Sequence, residues 1–317
     1  MLIVIGIDIG GTKCIITLAK WVDNQLQFKR VQRFFTRSQR GPEGILRDIE
    51  NIVAEMVSLE TDVAAIGISC GGPLDSVEGI IMSPPNLPGW DNIRIVERFA
   101  SRFEMPVYLE NDANAGALAE WQFGAGRGVN NLVFMTFGTG LGAGLIVNGH
   151  LYTGVHGMAG ELGHWRLSEE SGPINYGKTG SFQGYCSGNG IVMWYYHLLG
   201  QQGPVLTAEE IAVLAREGNE LAQLVYRRSG EILGRGLALL IDLLAPETIV
   251  IGGIFLYAYD LIWPYVENVI VNESLNLLRQ SCVIKPSELG QEIGNYAGCI
   301  VAITGIEKSH NNLESLE

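Results

Sequence analysis

Basic residues are scarce in this chain of 317 residues: 21 Lys and Arg stand against 34 Asp and Glu, a formal net charge of −13. A surface of that sign repels a phosphate backbone, which excludes nucleic acid as a partner. Long hydrophobic runs are missing too. No stretch reaches the roughly 18 consecutive apolar residues of a membrane-spanning helix, and the apolar stretch Leu2 to Ile7 is too short for a signal peptide. Cysteine is sparse and scattered (Cys14, Cys70, Cys186, Cys282, Cys299), with no CxxC pair. That spacing argues against a disulfide framework and for reduced thiols in a cytoplasmic protein. No low-complexity linker interrupts the chain. The remainder, 47% hydrophobic and 17% charged, is long enough for two domains with sizeable cores.

Glycine is plentiful, and its placement carries the most information. Two Gly/Thr turns, Gly10-Gly11-Thr12 and Gly138-Thr139-Gly140, each follow an apolar run and lead into another: Cys14 to Leu18 after the first, Leu145 to Val147 after the second. Glycines at such turns let backbone N–H groups converge on an anion. Asp8, just before the first turn, would repel phosphate unless a divalent cation lay between them. Together the turns read as a clamp on a Mg-bound polyphosphate. Their similarity predicts a duplicated βββαβα plan, one copy per domain.

Periodicity supports an α/β chain. Pro42 to Leu59 is a helical stripe opened by proline, and Val63 to Ile68 and Val107 to Leu109 are buried strands. Asn114 to Phe123 is a helix. Thr207 to Glu210 has capping-box spacing, and Asn219 to Leu244 is one long helix or two joined ones. Glu247 to Ile251 is a strand closed by Gly252-Gly253, and Asn311 to Glu317 is a loose tail.

The motifs Asp8 to Lys13, Gly71-Gly72-Pro73, Pro85 to Trp90, Glu110 to Asn114, Phe137 to Gly144, Gly160 to His164 and Ile249 to Gly253 occur in the order in which the ROK family carries them. The chain resembles that family, of the actin-like ATPase and hexokinase superfamily, over nearly its whole length. The resemblance implies a two-domain actin-like (ribonuclease H-like) α/β fold with a cleft between the domains. The division expected is residues 1–115 and 116–317, with a helix near 294–307 returning to the first domain. It also implies transfer of phosphate from ATP, with Mg, to a hydroxyl of a hexose or N-acetylhexosamine, and a homodimer as the assembly. Domain closure would shield the reacting group from water, with Gly124 to Gly128 and Gly290 to Gly294 as hinge candidates.

Each candidate residue has a plainer reading beside the chemical one. Asp112, at the end of a strand, is the candidate general base, although Asp112 or Asn111 could simply cap the following helix. Asp8 is a turn acid or the residue that holds Mg, through water. Lys13 is a surface charge or a phosphate contact, joining Gly10, Gly11 and Thr12 on one side of the triphosphate and Gly138, Thr139 and Gly140 on the other. Gly252 and Gly253 form a helix N-terminal turn or the approach to adenosine. By resemblance Gly72, Asn86, Asn111, Glu161 and His164 line the sugar, though a lone histidine is also commonly structural.

One stretch departs from the family pattern. Where relatives carry the zinc motif C-x-C-G-x-x-G-C-x-E, this chain reads Ile174 to Gln183, with Ile174, Tyr176 and Ser181 at the cysteine positions. No thiolate is available there, so zinc is not expected, and packing by Ile174, Tyr176 and Phe182 should hold the loop. Gln183 stands where the family has a glutamate near the anomeric hydroxyl. Its amide can donate as well as accept, which suits a glycoside, although drift after zinc loss would leave the same residue. Two alternatives to a hexose kinase remain: a glycoside kinase, and a non-catalytic sugar sensor or transcriptional regulator. A regulator would need a helix-turn-helix domain before Asp8, where this chain has seven residues.

Overall fold

The computed structural model describes residues 1–60, 62–169, 172–200 and 206–314, without the side chains of 311–314. Three strands open it: β1 (Leu2–Ile9), β2 (Lys13–Val22) and β3 (Gln25–Phe35), an antiparallel meander. Ile3, Val4, Ile5, Ile7 and Ile9 of β1 are all buried, a continuous run rather than an alternation. Such a run needs cover on both faces, which places β1 at the centre of its sheet. α1 (Gly41–Leu59) has Pro42 in its first turn and buries Ile45, Leu46, Ile49, Val53 and Met56 on one face. β4 (Val63–Cys70) then lies parallel to β1. A small sheet follows, of β5 (Leu74–Asp75), β6 (Ile80–Ile81) and β7 (Ile93–Arg94). α2 (Ile95–Phe103) leads to β8 (Val107–Asn111), parallel to β4, and to α3 (Asp112–Phe123). The sheet order is β3-β2-β1-β4-β8.

The same plan is made again. β9 (Leu132–Phe137), β10 (Leu141–Val147) and β11 (His150–Tyr152) form a second antiparallel meander. After α4 (Phe182–Tyr185), α5 (Gly188–Leu199), α6 (Ala208–Arg216) and α7 (Glu220–Leu244), the strand β12 (Thr248–Ile251) runs parallel to β9. α8 (Ile254–Tyr257), α9 (Tyr259–Glu273) and α10 (Asn276–Ser281) precede β13 (Val283–Pro286), parallel to β12. The order β11-β10-β9-β12-β13 repeats that of the first sheet position by position. Thr207 and Glu210 make the reciprocal capping box that starts α6. The stretch from Asn219 is a single helix, with the Asn219 side chain accepting from Ala222 N.

The last helix, α11 (Ile293–Glu314), packs on β1 and β4. Gly298 makes this possible: a Cβ there would lie 2.8 Å from the Cα of Gly6, backbone against backbone. α11 extends to Glu314, so Asn311 to Glu314 are helical rather than a loose tail, and 315–317 lie outside the described residues.

By internal contacts the chain divides into two units. One holds Met1–Phe123, Thr153–Ala159 and the chain from Gln291 on; the other holds Gly124–Tyr152 and Gly160–Gly290. A division after residue 115 would cut α3, whose hydrogen bonds run unbroken to Phe123. Of the four crossings, 123/124 and 290/291 lie beside Gly124 and Gly290, and the others are at 152/153 and 159/160.

Candidate functional site

In the first unit, parallel pairing carries the polar residues to one end of the sheet. Asp8 pairs with Ser69, Ser69 with Glu110, and Cys70 with Asn111. Carboxyl ends of parallel strands are where α/β folds leave room for ligands. The turn after β1 is closed by Gly10 N–H to Lys13 O at 3.0 Å. Gly11 leaves the space that a Cβ would take from Asn86, whose Cβ and carbonyl oxygen lie 2.8 Å from that point. The turn and the Pro85 to Trp90 segment are thereby brought together, with the side chains of Thr12, Lys13 and Asn86 exposed.

Asp8 accepts a hydrogen bond from the Ser69 hydroxyl at 3.0 Å, and α11 presses on its other oxygen: a Cβ at Gly294 would stand 2.7 Å from it. Burial pushes the Asp8 carboxyl up to about 7. The Ser69 hydrogen bond opposes the shift, the nearby charge of Asp112 adds to it, and Lys13 offsets part of it. A desolvated carboxylate beside a second one is short of positive charge. Magnesium fits that arrangement, because it takes few protein carboxylates and completes its shell with water and substrate phosphate.

Asp112 begins α3 and is exposed. One of its oxygens accepts from Ala113 N at 2.8 Å. The cap of α3 is Asn111, whose side-chain oxygen accepts from Ala113 N at 2.9 Å and Asn114 N at 3.4 Å. The Asn111 amide nitrogen lies beside Gly72, 3.2 Å from where a Cβ would be. The oxygen of this amide is taken up by the cap, while its nitrogen faces Gly72. Behind them Glu110 is buried, accepting from Asn111 N and the Asn114 amide at 2.9 Å each. Burial raises its carboxyl above the usual range. Ser69 and Gly294 belong to none of the motifs, and only strand register and helix packing place them here.

In the second unit, Gly138 N–H bonds Gly140 O at 3.1 Å, closing the turn after β9. Gly188 N–H, at the start of α5, donates to Gly138 O at 2.7 Å. Gly253 has φ +64° and abuts the Phe137 carbonyl, so no side chain could sit there. The Gly138 to Gly140 turn, with Thr139 exposed, thus lies among the ends of β9 and β12 and the first turn of α5. Backbone N–H groups at such junctions suit an anion.

Glu161 and His164 are exposed at the two ends of a short 3₁₀ turn over Leu162–His164. The His164 ring stacks on Tyr176, with centroids 3.6 Å apart and planes 22° apart. Gln183 spans this segment and the Gly138 to Gly140 turn: its carbonyl oxygen accepts from Leu141 N and from the Tyr176 hydroxyl, each at 2.9 Å. Its amide donates to Asn175 Oδ1 at 3.2 Å. Of the residues at the expected cysteine positions, Ser181 caps α4 and Tyr176 stacks on His164. Ile174 is 66% exposed, so it is not the packing substitute expected of it; Phe182, wholly buried, is. Among the described residues no group of three or more His, Cys, Asp or Glu could hold a metal ion.

The model of the ROK family matches residues 4–302. A glucokinase of Thermotoga maritima is 34% identical over 262 residues, 78% of this chain and 81% of that protein. The xylose repressor of Bacillus subtilis is 26% identical over 289 residues, 90% of this chain and 73% of that one. A solved ROK family glucokinase from Streptomyces griseus, in complex with glucose and AMPPNP, aligns with a TM-score of 0.77 at 28% identity, covering 95% of this chain and 99% of that one. Among the described residues no helix is long and apolar enough to cross a membrane.

Proposed function

From the premise that the chain belongs to the ROK family and has its actin-like α/β fold, we propose that it transfers the terminal phosphoryl group of ATP to a hydroxyl of a sugar, a hexose or an N-acetylhexosamine. The observation that carries this reading is the exposed Asp112 carboxylate at the start of α3, whose charge adds to the desolvation that raises the pKa of the half-buried Asp8. Asp112 takes the proton of the attacking hydroxyl as the new O–P bond forms and the bond to ADP breaks. Gly72, Asn86, Asn111, Glu161 and His164 bind the sugar. Gly10, Gly11, Thr12, Lys13, Gly138, Thr139 and Gly140 hold the phosphates, and Gly252 and Gly253 lie against adenosine. Magnesium, held by Asp8 through water, would neutralise charge on the phosphates.

Similarity to glucokinases, one of them solved with glucose and an ATP analogue, supports the reading. The similar xylose repressor makes regulation the competing one. A regulator needs no general base, and the Asp112–Asp8 arrangement favours transfer. A donor at Gln183 remains compatible with a glycoside, since an amide carries two N–H groups and Asn175 takes one.

The test is a panel of glucose, mannose, N-acetylglucosamine, N-acetylmannosamine and cellobiose with ATP and Mg, read by ADP release. Turnover on at least one free sugar is expected. Turnover on cellobiose alone would move the assignment to glycosides, and binding without turnover would move it to regulation.

A further inference from the structure

The segment Asn175-Tyr176-Gly177-Lys178 is a tight turn closed by two backbone hydrogen bonds, Asn175 N to Lys178 O at 2.9 Å and Lys178 N to Asn175 O at 3.1 Å. Its central residues have φ of +53° and +69°, the left-handed pair of a type I′ turn. Glycine, asparagine and aspartate suit the first of those places, whereas an aromatic side chain is strained there. Strain of that kind persists only where the surroundings hold it. Here the surroundings are specific. The Tyr176 ring lies flat on the His164 imidazole at 3.6 Å, and its hydroxyl donates to Gln183. The Lys178 ammonium donates to the His164 carbonyl at 2.5 Å, so the turn grips that residue by ring and by backbone. Gln183 carries the connection onward to Leu141 N at the end of the phosphate turn.

We propose that Tyr176 is a positioning residue. Its ring fixes the orientation of the His164 imidazole toward the sugar, while its hydroxyl adds a tie to Gln183 on which sugar binding does not depend. This rests on the phosphotransfer reading above. Tyr176 touches no reacting atom in this scheme, so its loss weakens sugar binding and leaves the chemical step intact. Burial and the Glu161 carboxylate hold its phenol above the usual range, which keeps the hydroxyl a donor across the working pH.

Two variants separate ring, hydroxyl and backbone. Tyr176→Gly adopts the same turn without strain, so the fold is kept while ring and hydroxyl go. Tyr176→Phe keeps the ring alone. An aromatic stack of this kind corresponds to an about three- to tenfold change in binding. The sugar KM of Tyr176→Gly should therefore rise by that factor with kcat changed less than about twofold. In Tyr176→Phe the sugar KM should stay within about twofold of wild type. The ring-proton signals of His164, shifted upfield by the stacked phenol, should move to ordinary positions in Tyr176→Gly and stay shifted in Tyr176→Phe. An active enzyme whose Tyr176→Gly variant keeps the wild-type KM overturns the inference and leaves the phosphotransfer reading standing. So does a Tyr176→Phe variant as impaired as Tyr176→Gly. A wild type with no turnover on any sugar overturns the phosphotransfer reading first, and the inference with it.

Discussion

The surroundings of the Asp112 and Asp8 carboxylates differ. Asp112 is exposed on a helix start, whereas Asp8 is half-buried beneath α11 and held by Ser69. Asp112→Asn replaces a base by a much weaker one of the same shape. General bases contribute about 10²- to 10⁴-fold, so kcat should fall by that factor while sugar affinity, measured by calorimetry, stays near wild type. Retention of more than about a tenth of the rate would leave Asp112 a helix residue only. Asp8 behaves differently because its folded pKa, about 7, is above its ordinary 3.8. The folded protein keeps a proton there that the unfolded chain has released. Stability from this group is therefore present below the ordinary carboxylate value and is lost as pH rises toward 7. Asp8→Asn removes that dependence. Without ligands the variant should be more stable than wild type at pH 8, by up to about 4 kcal/mol, and little different at pH 4. Urea midpoints at the two pH values measure this, and a pH-independent gap would refute it. The same variant should lose Mg·ATP use.

Helices and strands here are positioned as much by missing side chains as by present ones. α11 reaches β1 and β4 because Gly298 and Gly6 meet backbone to backbone, and neither main chain can yield. Gly298→Ala should destabilise by at least about 1–3 kcal/mol, the usual cost of overpacking a core, and a circular-dichroism melt would show it. Gly44 offers the opposite case. It lies inside α1, and a Cβ there would meet only the exposed Arg40 side chain, its Cβ at 3.3 Å and its guanidinium nitrogens at 3.5 and 3.7 Å, a contact relieved by a shift of a few tenths of an ångström. Gly44→Ala should stabilise by about 0.5–1 kcal/mol through helix propensity. If the two glycines responded alike, close approach would not be the reason for either.

The residues proposed to bind sugar and nucleotide are drawn from both units, so the proposal is tested on the whole chain. A sugar at about 100 times its dissociation constant stabilises the folded state by about 2.7 kcal/mol. The melting temperature should rise by several degrees with each sugar that is bound and not with others. A shift with a sugar that is never phosphorylated would point to the repressor-like role.

Much of this protein can be read from residue order alone, because local chemistry decides it. The glycine turns, the proline-started α1, the Thr207 capping box and the continuous apolar runs of the central strands each depend on near neighbours in sequence. The duplicated plan is visible in the two turns, and both sheets carry the same strand order. What residue order leaves open is whatever depends on register and close approach. Asp112 and Asn111 are equivalent as caps on paper, and only the folded backbone assigns the cap to Asn111. Ser69 meets Asp8 because parallel pairing places them side by side across strands distant in sequence. Ile174, apolar and suited to a core, faces water, while Tyr176 takes a strained turn to reach His164. Local propensity is summed along the chain, whereas these contacts form only once distant segments have been packed against one another.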